Sequence, residues 1–149
     1  MLRRPDIAFI PMPQLAIDVL LETVQVTESD VIYDLGCGEG QVLMTASARY
    51  GAWGVGIDID PVRIQAARSK AEQMGLSDRI TFREADLFES RFEEASIVVL
   101  YLLPHLNLRL RPALFEQLRP GTRIVSIDFD MGDWQPENVI KLNIEEETT

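Results

Sequence analysis

The chain holds one cysteine and one histidine in 149 residues, carries fewer basic than acidic side chains, and contains no long apolar run. Each scarcity removes a class of protein. A lone Cys37 rules out an intramolecular disulfide and suits a reducing compartment. With His105 as its only histidine, the chain has no His/Cys cluster with the spacing of a transition-metal centre. The balance of 14 Lys and Arg against 24 Asp and Glu, a net charge of −10, argues against broad nucleic-acid binding, which depends on cations that neutralise phosphates. No stretch approaches the roughly 20 apolar residues of a membrane helix. The opening Met1-Leu2-Arg3-Arg4-Pro5-Asp6 lacks the apolar core and small-residue cleavage site of a secretion signal. The expectation is a cytoplasmic protein without metal, nucleic-acid partner or membrane segment.

What is present is the composition of one α/β domain, 46% hydrophobic and 26% charged over residues 1–149. Ile17, Leu20, Leu21 and Val24 recur at helical spacing, and Val31 to Leu35 is an apolar run of strand length. Val42, Leu43, Ala46 and Tyr50 mark the next helix, and a second strand ends at Asp58. Asp60-Pro61 is an N-cap followed by a first-turn proline, and Ile64, Ala67, Ala71 and Met74 continue a buried face that Gly75 ends. Strands follow at Arg79 to Arg83, Ala95 to Leu100 and Thr122 to Ile127, with a helix between Asn107 and Leu118. Val139 to Ile144 reads as a further short strand and the end, Glu145 to Thr149, as a solvated tail. Trp53 reads as core. Strand and helix alternate throughout, so the expected fold is a mostly parallel sheet with helices on both faces.

Ligands of such sheets lie outside the carboxyl ends of the strands, and the acids of this chain fall there. Asp34 ends the first strand beside Gly36-Cys37-Gly38-Glu39-Gly40, Asp58 the second, Asp86 the third and Asp128 the fifth; Tyr101 follows the fourth. The glycine turn and an acid about 20 residues later mark a nucleotide-type site, the acid being placed to accept from ribose hydroxyls. A dinucleotide would set its pyrophosphate on the turn, where Asp34 and Glu39 repel it. Those carboxylates suit a cationic sulfonium with a free ammonium group, which Asp34 meets directly or through water. Cys37 reads as a small residue fitted to a crowded turn rather than a nucleophile, and His105 as a capping or surface residue.

With these residues in place, the chain resembles the class I S-adenosylmethionine-dependent methyltransferases, of Rossmann-like fold. Asp34 to Gly40 matches their first motif, Asp58 their ribose acid, and Ala85-Asp86-Leu87-Phe88 their adenine-side motif. Within them it is similar to the short prokaryotic relatives of the mitochondrial protein-lysine methyltransferases that act on the ATP synthase c-subunit and the adenine nucleotide translocase. The stretches Phe9 to Pro13, Leu100 to Pro104 and Pro120 to Ser126, running on to Phe129 through Trp134, carry that likeness. The resemblance implies S-adenosyl-L-methionine as cofactor, a leading segment 1–30, a cofactor-binding core 31–128 and a C-terminal segment 129–149. It implies that Pro11 folds over the methionine end of the donor. Cofactor-binding residues are then Pro11, Asp34, Gly36, Cys37, Gly38, Glu39, Asp58, Ile59, Asp86 and Leu87. Relatives usually continue into an antiparallel strand pair after the tryptophan, and this chain stops soon after Ile144.

The acceptor is narrowed by the fourth strand. Methyltransferases acting on adenine or glutamine nitrogens resemble one another in an Asn/Asp-Pro-Pro-Tyr segment there, where this chain has Tyr101-Leu102-Leu103-Pro104. A hydroxyl between apolar walls suits an aliphatic amine, and a protein lysine is the expected partner. Tyr101 and Asp128 are the candidate catalytic residues, one to orient the amine and the other, or a water, to take its proton; Tyr101 equally suits a wall. Phe129 and Trp134 are candidates for the acceptor channel, while Arg109, Arg111, Arg119 and Arg123 read mostly as solvated. The other readings are a small-molecule methyltransferase, an NAD-dependent oxidoreductase, and a non-catalytic partner subunit. An exposed sheet edge leaves a monomer and an edge-mediated homodimer both open.

Overall fold

A computed structural model describes residues 13–102 and 104–127. Five strands, β1 Val31–Leu35, β2 Trp53–Asp58, β3 Ile80–Glu84, β4 Ile97–Leu100 and β5 Arg123–Ser126, form one sheet in the order β3-β2-β1-β4-β5. Every pairing is parallel. The helices are α1 Gln14–Thr23, α2 Gln41–Tyr50, α3 Pro61–Gln73 and α4 Pro104–Gln117. The chain walks outward from β1 to β3 and returns to the other side of β1 for β4. The strand order reverses between β1 and β4, the switch point at whose carboxyl edge sheets of this kind bind ligands.

Side chains alternate between two cores, as the pleat requires. Ile32, Ile97, Val99, Ile80 and Phe82 pack with residues of α1, α2 and α3. Tyr33, Leu35, Val55, Ile57, Val98 and Leu100 pack instead with Leu106, Leu110 and Leu114 of α4 and with Phe92 and Ala95. The strict alternation of strand and helix fails at one place. Between β3 and β4 there is no α-helix, only a 3-10 turn at Leu87–Glu89, so this connection and α4 share the second face.

Local chemistry sets the helix ends. Asp60 caps α3 by accepting from Val62 N–H at 2.9 Å, and Pro61 supplies the first turn. At its far end Gly75 takes φ +71°, and the N–H groups of Gly75 and Leu76 reach back to Glu72 and Ala71 carbonyls. Met74 therefore lies past the last turn and is exposed, not part of the buried face. The same closure ends α1 with Gln25, a non-glycine residue at φ 54°.

Trp53 is not core either, being 47% exposed at the amino end of β2. The Arg79 guanidinium stacks 5.2 Å from its ring centroid while donating to Gly51 carbonyl at 2.7 Å. Helix α4 starts at Pro104, one turn before the expected Asn107. At the amino edge, Asp30 accepts from Thr27 N–H, the Ser96 hydroxyl and the Arg123 guanidinium, tying the approach to β1 onto β4 and β5. Arg123 is thus a structural ion pair rather than a solvated charge. Among the described residues, no helix is long and apolar enough to cross a membrane. Pro11, Asp128, Leu103, Phe129, Trp134 and the expected strand at Val139 to Ile144 lie outside the described residues.

Candidate active site

The glycine turn is hooked onto the end of β2. Gly36 and Cys37 N–H both donate to Ile57 carbonyl, at 2.8 and 3.0 Å, and Gly38 N–H donates to Asp58 Oδ2 at 2.8 Å. The other oxygen of Asp58 accepts from Asp60 N–H at 2.9 Å, so one carboxylate joins the turn to the start of α3. Each oxygen keeps a further acceptor site, as carboxylates have about four. Asp58 thus holds the loop to the start of α3, a structural role that its spacing alone did not reveal.

At two glycines beside the turn there is no room for a larger residue. Gly40 has φ +83°, and a Cβ there would lie 2.6 Å from the Phe82 ring. A Cβ on Gly56 would meet Cys37 Sγ at 2.8 Å. Cys37 is a buried packing residue whose thiol is pushed well above its usual range by burial and then by the charges of Asp34 and Asp58. A thiol held protonated is a poor nucleophile. Glu39 is exposed at the loop tip.

Asp34 is the electrostatic anomaly. It sits on β1 between Gly56 and Val99, is 5% exposed, and makes no hydrogen bond among the described residues. Burial first, and the negative charge of Asp58 second, push its carboxyl up to about 7. Buried carboxylates are ordinarily paired, so this one is short of a cation or a donor.

The third acid joins the pair through the backbone. Ala85 N–H donates to Asp58 carbonyl at 3.0 Å, and Asp86 follows at once, its Oδ1 accepting from Phe88 N–H at 2.9 Å. Ile59 and Leu87 are half-buried beside these acids in the chain. Asp34, Gly36, Gly38, Asp58 and Asp86 therefore gather along one edge. Tyr101 directly follows β4, half-buried, and packs against the core shared with α1 and α2. His105 is exposed in the first turn of α4.

Sequence reasoning missed two residues of α4. Asn107, fully buried, donates to Ser126 Oγ at 3.1 Å and ties the start of α4 to the end of β5. Its only sequence signal was a polar residue in the apolar series Leu106, Leu110, Leu114. Arg109 lies over the Phe88 ring, 4.0 Å from the centroid.

The set fits a cationic ligand: an unpartnered buried carboxylate, a second with acceptor capacity to spare, and a glycine turn whose last position, Gly40, has no room for a Cβ. An anionic pyrophosphate beside Asp34 and Asp58 would be repelled. Comparison with known proteins agrees. The model of the ANTKMT methyltransferase domain matches residues 34–138. A protein-lysine N-methyltransferase of Saccharolobus islandicus is 35% identical over 139 residues, 93% of this chain and 86% of that protein. The human lysine N-methyltransferase of the ATP synthase c-subunit is 25% identical over 93% of this chain, which spans 58% of that protein's length. A crystallised RNA methyltransferase from Salinibacter ruber, in complex with S-adenosyl-L-homocysteine, superposes with a TM-score of 0.88 at 50% identity, over 89% of this chain and 87% of that one. These likenesses leave no place for the oxidoreductase and non-catalytic readings. The chain belongs to the ANTKMT methyltransferase domain family and is an S-adenosylmethionine-dependent methyltransferase of Rossmann-like fold.

Proposed function

We propose that the chain methylates the side-chain amine of a protein lysine, with the donor lying along the edge formed by Asp34, the glycine turn, Asp58 and Asp86. The observation that carries the donor assignment is Asp34, buried and unpartnered beside Asp58. When bound, S-adenosylmethionine supplies a methyl group on a positively charged sulfur. Asp34 meets the positive end of the donor, Asp58 accepts from the ribose hydroxyls, and Asp86 with Leu87 faces the adenine. Gly36, Cys37, Gly38, Glu39 and Ile59 shape the backbone between them, and the family resemblance assigns Pro11 to the methionine end.

The remaining task is to hold the acceptor in line and exclude water. A lysine, with an ordinary pKa of about 10.4, must lose its proton to attack, and a desolvating apolar slot next to positive charge lowers that value. Tyr101 orients the amine, and Asp128 or a water takes the proton. The acceptor class is supported by the lysine methyltransferases of Saccharolobus and human, whose likeness spans most of this chain.

The 50% identity to the Salinibacter RNA methyltransferase favours a second reading, an RNA acceptor. A net charge of −10 weighs against it, since phosphate contacts need basic side chains. Incubating the protein with tritiated S-adenosylmethionine and a lysate separated into protein, RNA and small-molecule fractions decides between them. Label in acid-stable methyl-lysine of a protein band is expected. Label confined to RNA or to small molecules refutes the lysine assignment.

A further inference from the structure

The helix missing between β3 and β4 leaves the adenine-side loop with little secondary structure of its own, yet α4 holds it at two points. Near the start of the connection, the exposed Arg109 lays its guanidinium 4.0 Å from the centroid of the half-buried Phe88 ring. At its end, Phe92 N–H donates to Gln117 Oε1 at 2.7 Å, while Gln117 Nε2 donates to Ser90 carbonyl at 3.4 Å. At the first of these points Leu87 and Phe88 pack on the same core as Leu102, Leu106 and Leu110. Arg109 makes no ion pair among the described residues, so the ring is what places it.

We propose that Arg109 is a positioning residue for the methyl donor. By covering Phe88 it fixes the loop whose N–H, two residues on from Asp86, holds that carboxylate where it meets the adenine amine. This rests on the assignment of Asp86 to the adenine. Arginine suits the position because its flat guanidinium stacks on a ring face, which a lysine ammonium does less well. The same helix begins two residues after Leu102, close in the chain to the acceptor-side Tyr101, so the stack also ties the adenine wall to the acceptor slot.

The test is the ratio of affinities for S-adenosylhomocysteine and S-inosylhomocysteine, measured by calorimetry on the full chain. The inosine compound presents an oxygen where adenine has its amine, so a well-placed carboxylate discriminates against it. Arg109→Ala should lower the ratio about threefold to fivefold, the size of an exposed cation–π contact, with Arg109→Lys intermediate and the circular-dichroism melting temperature little changed. Asp86→Asn serves as the reference. If Asp86→Asn lowers the ratio while Arg109→Ala leaves it unchanged, the role of Arg109 is overturned and the donor assignment stands. If Asp86→Asn leaves the ratio unchanged, the adenine assignment fails and the proposal with it. Should Arg109→Ala not fold, Arg109→Lys and Phe88→Leu test the same ratio in its place, and an unchanged ratio in both overturns the proposal.

Discussion

Replacing Asp34 by asparagine should make the free protein more stable and the donor complex weaker, and both effects should depend on pH. The native carboxyl ionises at about 7 and an unfolded one at 3.8. Between those values the folded chain keeps a proton that the unfolded chain has released, so stability falls as pH rises through the window and levels off above it. At roughly 1.4 kcal/mol per pH unit, the cost of the buried charge reaches about 4 kcal/mol on the plateau. By about pH 5.5 roughly 2 kcal/mol of that cost is already present. The Asp34→Asn variant keeps the shape and cannot ionise. Its advantage in urea unfolding should therefore grow by about 2 kcal/mol between pH 5.5 and pH 8.5. Other titrating groups cancel in the difference between the two proteins. A cation against Asp34 favours the charged form, so wild-type affinity for S-adenosylmethionine should rise as pH increases from 5.5 to about 7, while the variant binds more weakly and with little pH dependence over the same range. A stability difference that does not change with pH would refute the buried-pair argument. Undiminished donor affinity in Asp34→Asn would refute the role of the pair in binding.

Asp58→Ala removes the acceptor for Gly38 and Asp60 N–H as well as the expected ribose contacts, so S-adenosylhomocysteine should bind weaker by about 2–3 kcal/mol in calorimetry, with a lowered melting temperature. Asp30→Ala strips the Ser96 and Arg123 contacts at the amino edge and should cost about 2 kcal/mol in urea unfolding without changing donor affinity. Burial works against the Asp30 charge, but its bonds from Thr27 and Ser96 and the nearby Arg123 outweigh it and hold its carboxyl below the usual range. That contribution is full above the ordinary carboxylate pKa and is lost as pH falls through the native value, so the wild-type advantage over Asp30→Ala should shrink in acid. Gln25→Gly relieves a left-handed residue at the end of α1 and should raise stability by about 0.5–1 kcal/mol by the same unfolding assay.

The order of strands and helices was legible because the apolar periods change cleanly, as from Val31–Leu35 to the helical series Val42, Leu43, Ala46. The gathering of Asp34, Asp58 and Asp86 was legible too, since a parallel sheet sends the end of every strand to one edge. What escaped depends on contacts distant in sequence. Trp53 looked like core because it is large and apolar, but it begins β2 at the sheet's rim and is covered by Arg79. Met74 kept the helical spacing of its predecessors although the helix had already closed. Arg109 looked like one more surface charge until folding put Phe88 beneath it. The raised ionisation of Asp34 needs one further fact that no local pattern contains, how deeply the carboxyl is buried.

The claim on which the rest depends is that a buried acidic pair at the carboxyl edge receives a cationic donor. Titrating the protein with S-adenosylmethionine near pH 6.5, in two buffers of different ionisation enthalpy, measures binding and proton exchange together. One bound donor per chain with release of a fraction of a proton, the release vanishing near pH 8.5 and in Asp34→Asn, is the predicted result. Folded protein that takes up no donor at high micromolar concentration, or binds it with no proton released at either pH, would contradict it.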